Sequence, residues 1–430
     1  MTTKIVSVRG RQILDSRGRP TVEVDIALDD GAMGRASIPS GASTGSSEAH
    51  ELRDADPEDY AGLGVKKAVR HVNGEIAEAL RGADAIDQQG IDNRLISLDG
   101  TAQLRRLGAN AILGCSLAVA RAAATSRKVA LYEYIKILAG ARSVSLPMPM
   151  VNILSGGLHA ARGMDVQDFL AIPSSAASIE QAIRNVARMR AAAAELLASR
   201  GMSTLLADEG GLSPGFKTSR EALQLMADAT EKAGFRPGID MVIAIDVAAT
   251  ALYDRATGQY HLRREGRRVS TTEMITMVEG WISEFPVVSV EDALDEEDWR
   301  GWRALTQQVG SRVRLVGDDL FTTNPERLSR GIRESCANGV LVKLNQNGTL
   351  TGTLQVIADA QKNGYAPVVS ARSGETEDSF IADLAAGTAA GQIKIGSVRC
   401  SDRLAKYNQL MRIEEHSGAP FAGMSSIRLG

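Results

Sequence analysis

Three acidic residues close three short apolar runs: Asp246 after Val242 to Ile245, Glu291 after Val287 to Val290, and Asp318 after Val313 to Gly317. Carboxylates gathered in this way form a hard oxygen site suited to Mg²⁺ rather than to zinc or copper. Each alone reads as a solvated or salt-bridged loop acid. At one rim, their mutual repulsion calls for a cation. Lys343 follows Val340 to Val342, and Lys394 follows Ile393. Two lysines facing such a site are expected to lower each other's pKa, and a partly desolvated lysine falls towards ~7–8, where it acts as a base. A carbon acid beside a carboxylate is very weak, so its dianionic enolate needs metal and ammonium together. The pattern therefore points to removal of a proton next to a carboxylate.

Other residues extend the set. Glu209 follows Leu205-Leu206-Ala207 and precedes Gly210-Gly211, which places it at a strand end or, equally, in a simple turn. Arg372-Ser373-Gly374 offers a planar fork, a hydroxyl and an unhindered backbone to a phosphate. Ser40 to Gly45 is small enough for a lid, with Ser43 reaching a second ion. His159, after Gly156-Gly157, is the histidine in a strand-end context, whereas His50, His71, His261 and His416 read as surface or capping residues.

The elements that position these groups follow from apolar periodicity. Short apolar runs after Pro147 and Pro149 alternate with helix-length amphipathic stretches, and charged residues recur at the ends of the runs. That is the pattern of a (β/α)₈ barrel with its chemistry at the carboxyl ends of parallel strands. A doubly wound dinucleotide fold is discarded, because Gly62-Leu63-Gly64 does not continue as GxGxxG. Upstream, Val22, Val24, Ile26 and Leu28 alternate with Thr21, Glu23 and Asp25, which predicts a half-buried antiparallel strand flanked by Ile5 to Ile13 and Ala36 to Ile38. Helical patterns run from Glu58 to Arg81 and from Thr101 to Lys128. Two domains are expected, an α+β capping and lid domain over 1–138 and the barrel over 139–430.

The 430 residues carry 49 basic and 52 acidic side chains, a formal charge of −3 that gives no footing for nucleic acid. The start, MTTKIVSVRG, shows no signal peptide, and the apolar stretch Ala111 to Ala124 is interrupted by Arg121. No membrane partner is expected. Cys115, Cys336 and Cys400 fit neither a disulfide framework nor a CxxC site and read as reduced thiols of a cytoplasmic protein.

From end to end the chain resembles the enolase family. The segments that carry the resemblance are, in order, LDSRGRPTVEV, SGASTG with ELRD, GANAILGCSLAVARAAA, GGLHA, ADEGGLSP, IAIDVAA, VVSVEDAL, VGDDLFTTNP, LVKLNQNGTL, RSGETEDSFIADLA, GQIKIG and RLAKYNQLMRIEE. The resemblance implies an enolase-type (β/α)₈ barrel behind an α+β capping domain. It implies Asp246, Glu291 and Asp318 as ligands of a structural Mg²⁺ and Ser43 as a lid ligand of the catalytic one. Lys343 would be the base, Glu209 the acid for the leaving hydroxyl, and Lys394 the partner of the substrate carboxylate. Arg372 and Ser373 would hold the phosphate of a small phosphorylated carboxylic acid, and His159 and Asp168 would belong to the catalytic set. A homodimer or larger homo-oligomer is implied as well.

The departures from the family pattern cluster. Its S-H-R-S-G-E-T-E-D reads Ser370-Ala371-Arg372-Ser373 here, so a histidine is lost, and Q-E-F reads Gln167-Asp168-Phe169, shortening the acid that assists Glu209 by roughly 1.5 Å. N-G-G becomes Ser155-Gly156-Gly157, Leu158 precedes His159, N-Q-I-G becomes Asn345-Gln346-Asn347-Gly348, and E-D-P becomes Glu291-Asp292-Ala293. Metal ligands, both lysines, Glu209 and the Arg-Ser pair are intact. On these residues the favoured expectation is a diverged homologue of the carboxyphosphonoenolpyruvate synthase kind, from phosphonate and phosphinate biosynthesis. The alternatives are ordinary enolase, converting 2-phosphoglycerate to phosphoenolpyruvate and water, and a catalytically silent binding protein of the same fold.

Overall fold

The computed structural model describes residues 2–42 and 45–427, so the expected lid ligand Ser43 lies outside the described residues. Strands Ile5–Leu14, Pro20–Leu28 and Met33–Ser37 pair antiparallel in that order. Val22, Val24, Ile26 and Leu28 are buried, as the alternation predicts. Their face is covered by the alanine-rich helix Ala109–Ser126. The approach is close enough that a Cβ on Gly34 would lie 2.1 Å from the Ala118 carbonyl oxygen. Both helices expected upstream start late. Tyr60, Ala61 and Gly62 hold φ of 51°, 52° and 89°, so regular helix begins at Lys66, and Gly108 at φ 94° delays the second to Ala109.

Strands Met148–Ser155, Asp168–Ile172, Val242–Asp246, Val287–Glu291, Arg314–Gly317, Gly339–Val342, Ala366–Ser370 and Gln392–Gly396 close into a barrel. One strand corrects the all-parallel expectation: Asp168–Ile172 runs antiparallel to both neighbours. It follows its predecessor as a hairpin rather than through a crossover helix, and so brings its amino end to the rim where the others bring their carboxyl ends. The interior is filled by Met148, Met150, Leu170, Ile172, Val242 and Ala244, among others. Because side chains alternate along a strand, the next inward step towards the rim is occupied by Asn152, Asp168 and Asp246.

Two local expectations change. Leu205 to Ala207 forms no strand; its one isolated bridge is Leu206↔Leu212, across a turn with Gly210 at φ 81°, and Leu212 in turn bridges to Leu154. Glu209 is therefore presented by a turn. Lys394 lies in the middle of Gln392–Gly396 rather than at its end, which sinks its side chain into the barrel. Among the described residues, no helix is long and apolar enough to cross a membrane.

One buried carboxyl away from the rim makes a stability prediction. Burial pushes Asp383 up to about 6, against the opposing pull of its bonds to Gln409 Nε2 at 3.2 Å and of Arg121. A carboxyl raised on folding adds stability at acid pH that is lost as pH rises through its folded value. Two units correspond to about 3 kcal/mol at most. Asp383→Asn should therefore gain urea resistance over the wild type progressively between about pH 4 and pH 7. A constant difference in urea midpoint across that range would rule it out.

Candidate active site

The strand registers lay out one side of the rim. Ser155 pairs with Asp168, Asp168 with Asp246, and Asp246 with Glu291, while Lys394 pairs with Ser370. Lys394 Nζ donates to Asp246 Oδ2 at 2.8 Å and to the two Glu291 oxygens at 2.8 and 2.7 Å. Lys343 Nζ donates to Asp318 Oδ2 at 2.5 Å, and Gln346 Nε2 donates to Asp318 Oδ1 at 2.8 Å. The five predicted charges thus form two ion-paired groups at the rim, Lys394 with Asp246 and Glu291, and Lys343 with Asp318.

Where the sequence reading has the two lysines lower each other's pKa, the carboxylates they touch act in the opposite direction. Burial works against the charge on each lysine, but Asp318 beside Lys343, and Asp246 and Glu291 beside Lys394, outweigh it and hold both ammonium groups up. Reasoning from lysine-to-lysine repulsion left out the carboxylates that each amine touches.

A second cluster continues from Asp168 on the same side of the rim. His159 Nδ1 meets Asp168 Oδ2 at 3.0 Å, and its Nε2 faces Glu209 Oε1 at 3.8 Å. Burial pulls the imidazole pKa down, yet the Asp168 and Glu209 carboxylates and the bond to Asp168 prevail and raise it to about 9. Burial likewise opposes charge on Glu209, but His159, Arg403 and the two lysines hold its carboxyl below the usual range. Burial pushes the Asp168 carboxyl up against the pull of His159, so His159, Asp168 and Glu209 form one proton-holding group.

The Arg372 fork is engaged: Nη1 donates to Glu48 Oε2 at 3.0 Å and to Asn345 Oδ1 at 2.8 Å. Ser373 Oγ accepts from Arg17 Nη1 at 3.3 Å. The loop that carries both is fixed from beneath by fully buried Arg403, which donates to the carbonyls of Arg372 at 2.6 Å, Ser373 at 2.7 Å and Ile395 at 3.0 Å. A cavity of about 380 Å³ opens on the outer side of Arg372, lined also by Glu48, His50, Glu51, Asn110 and Asn345.

The family-level comparison joins this geometry to known proteins. Residues 5–135 match the model described as enolase, N-terminal domain, and residues 143–429 match enolase, C-terminal TIM barrel domain. The chain belongs to the enolase family. Enolases of Tropheryma whipplei strain Twist and of strain TW08/27 are each 52% identical over 424 residues, covering 98% of this chain and 98% of theirs. An enolase-family chain is a lyase of the phosphopyruvate hydratase group and acts on a small phosphorylated substrate, generally with a metal.

The donor set fits a hard divalent cation. Asp246, Glu291 and Asp318 offer only carboxylate oxygens, and buried Gln167 Oε1 has no hydrogen-bond partner among the described residues while its amide donates to Asp246 Oδ2 at 3.3 Å. The carboxylates that bring one oxygen each within 4.8 Å of one another at Asp318 are Asp292 and Asp319, and a second such group is His159, Asp168 and Glu209. Asp246, Glu291 and Asp318 form no group that tight among the described residues; Lys394 pairs with the first two and Lys343 with the third. Sequence reasoning missed Glu48, Gln346, Asn152 and Arg403 as parts of this enolase site. Gln346 and Asn345 stood in a noted motif next to Lys343, whereas Glu48 in Ser46-Ser47-Glu48 carries no signal beyond its nearness to the lid.

Proposed function

We propose that this chain is an ordinary enolase, dehydrating 2-phosphoglycerate reversibly to phosphoenolpyruvate with Mg²⁺, as a cytoplasmic homodimer or larger assembly. In this reading residues 1–138 cap the barrel of 139–430. The observation that carries it is the contact His159 Nδ1 to Asp168 Oδ2 at 3.0 Å: the shortened acid still reaches the histidine that faces Glu209. The His159 contacts to Asp168 and Glu209 are kept on the leaving-hydroxyl side, while the histidine of the family pattern is replaced there by Ala371. The names of the two relatives also favour ordinary dehydration over the carboxyphosphonoenolpyruvate synthase-like role expected from the departures.

Lys343 Nζ takes the proton from the carbon bearing the phosphate ester, and Lys394 pairs with the substrate carboxylate. The C–O bond of the neighbouring carbon then breaks, and the departing hydroxide takes a proton from the Glu209–His159 side and leaves as water. Asp246, Glu291 and Asp318 would hold the cation, which would stabilise the developing enolate charge and, by offsetting the carboxylates that here pair with the two ammonium groups, would let Lys343 act as a neutral amine. Arg372 and Ser373 orient the phosphate, with Glu48 giving up the fork to it.

The test is a steady-state assay with 2-phosphoglycerate and Mg²⁺, run alongside deuterium uptake at the α-carbon in D₂O. Phosphoenolpyruvate should appear without excess exchange. Exchange that outran dehydration would instead support the diverged reading. Arg372→Lys should raise KM by about ten-fold or more, since an ammonium cannot reproduce the bidentate fork. An unchanged KM would remove Arg372 from the phosphate subsite.

A further inference from the structure

Two of the departures from the family pattern face each other. Ser155 and Asp168 are opposed residues of the antiparallel hairpin, and the Ser155 hydroxyl donates to Asp168 Oδ1 at 2.8 Å. Asn152 Nδ2 donates to the same oxygen at 2.7 Å and to Ser155 Oγ at 3.0 Å. All three side chains are fully buried. Bare backbone closes the group from behind: a Cβ on Gly211 would stand 2.4 Å from Ser155 Oγ and 2.9 Å from Asn152 Oδ1. That Asn152 Oδ1 has no partner among the described residues, so the amide is oriented by its donor bonds to the carboxylate and to the serine hydroxyl.

We infer that Ser155 and Asn152 are positioning residues that pin Asp168 Oδ1, leaving Oδ2 aimed at His159 Nδ1 so that a short acid still sets the imidazole against Glu209. The physical reason lies in reach and freedom. An aspartate has one methylene fewer than the glutamate of the family pattern and so cannot adapt its position through an extra torsion. Its carboxylate is still free to spin about the last bond, and a buried acid bonded through one oxygen alone would share that bond between rotamers. Two donors on Oδ1 remove the freedom and satisfy lone pairs that burial would otherwise leave bare. The serine and the aspartate are thus one adaptation: a side chain larger than serine opposite Asp168 would meet Gly211, and one lacking a donor would release Oδ1.

The kinetic arm of the test rests on the dehydration proposed above, and the spectroscopic arm does not. Ser155→Ala should lower kcat for 2-phosphoglycerate between about ten- and a hundred-fold, the range expected for a displacement of an ångström or less, while KM moves less than about two-fold. Asp168→Asn should lower kcat further. The double variant should be no worse than Asp168→Asn alone, since Ser155 acts only through that carboxylate. In ¹⁵N-histidine-labelled protein, assigned with His159→Gln, the Nδ1 proton resonance of His159 should shift in Ser155→Ala towards its position in Asp168→Asn. Should Ser155→Ala not fold, Asn152→Ala removes the other donor and is read in the same way. Additive losses in the double variant, or a His159 resonance that stays at its wild-type position while kcat falls, would overturn the inference. If the unmodified protein does not dehydrate 2-phosphoglycerate, the proposed function fails, and the resonance still decides the clamp.

Discussion

Lys343→Ala should abolish deuterium exchange at the α-carbon of 2-phosphoglycerate, with phosphoenolpyruvate formation falling by about 10²- to 10⁴-fold, the usual worth of a positioned base. The amine lies against Asp318 in a buried network with no second amine on the same carboxylate among the described hydrogen bonds. Lys394 cannot substitute, since it is held between Asp246 and Glu291 on the other side of the rim. The contrast that gives the experiment its force is Glu209→Gln, which touches the step after the proton has left. That variant should lose dehydration and keep much of its exchange. Exchange persisting in Lys343→Ala would move the base elsewhere, and exchange lost equally in both variants would remove the division of labour between the two sides of the site.

Chelation of divalent metal should remove activity, by about 10³-fold or more if the ion supplies several kcal/mol to the enolate. Mg²⁺ should restore it. Asp318→Asn should be crippled to a similar degree and should not recover with added Mg²⁺. Its amide also leaves the Lys343 ammonium without its charged partner, so the lysine's pKa should fall in this variant. Full activity in chelator-treated protein would break the assignment of the rim carboxylates, and a fully active Asp318→Asn would exclude that residue alone.

Much of the barrel was legible because its strands obey a period of two and end on charge. Val242 to Asp246 and Val287 to Glu291 are strands with those bounds, and the alternating segment upstream is the central strand of the first sheet. What escaped depended on direction and partnership. Asp168 opens its strand, so a rule that reads chemistry at strand ends passes over it; only the antiparallel course puts it at the rim. Glu209 follows an apolar triplet, but three residues with a single bridge make no ladder. The lysines were found but not their partners, because pairing with Asp318, Asp246 and Glu291 is a matter of distances that spacing along the chain does not contain. Glu48 and Arg403 reach the site across the whole sequence; Arg403 opens the segment RLAKYNQLMRIEE, where nothing assigns it a role, and Glu48 lies outside the segments that carry the resemblance.

The reversed strand also divides the barrel by the length of chain each seam must gather. Ser155 and Asp168 are joined by about a dozen residues, whereas the seam between Met148–Ser155 and Gln392–Gly396 closes over more than about two hundred, a difference of ~2.5 kcal/mol under logarithmic loop closure. The hairpin that bears His159 and Asp168 is a local structure, able to find its register before the rest of the ring exists. Lys394 enters through the long seam, so the amine between Asp246 and Glu291 is bound to the ring's closure, and the two halves of the site differ in contact order as sharply as in chemistry.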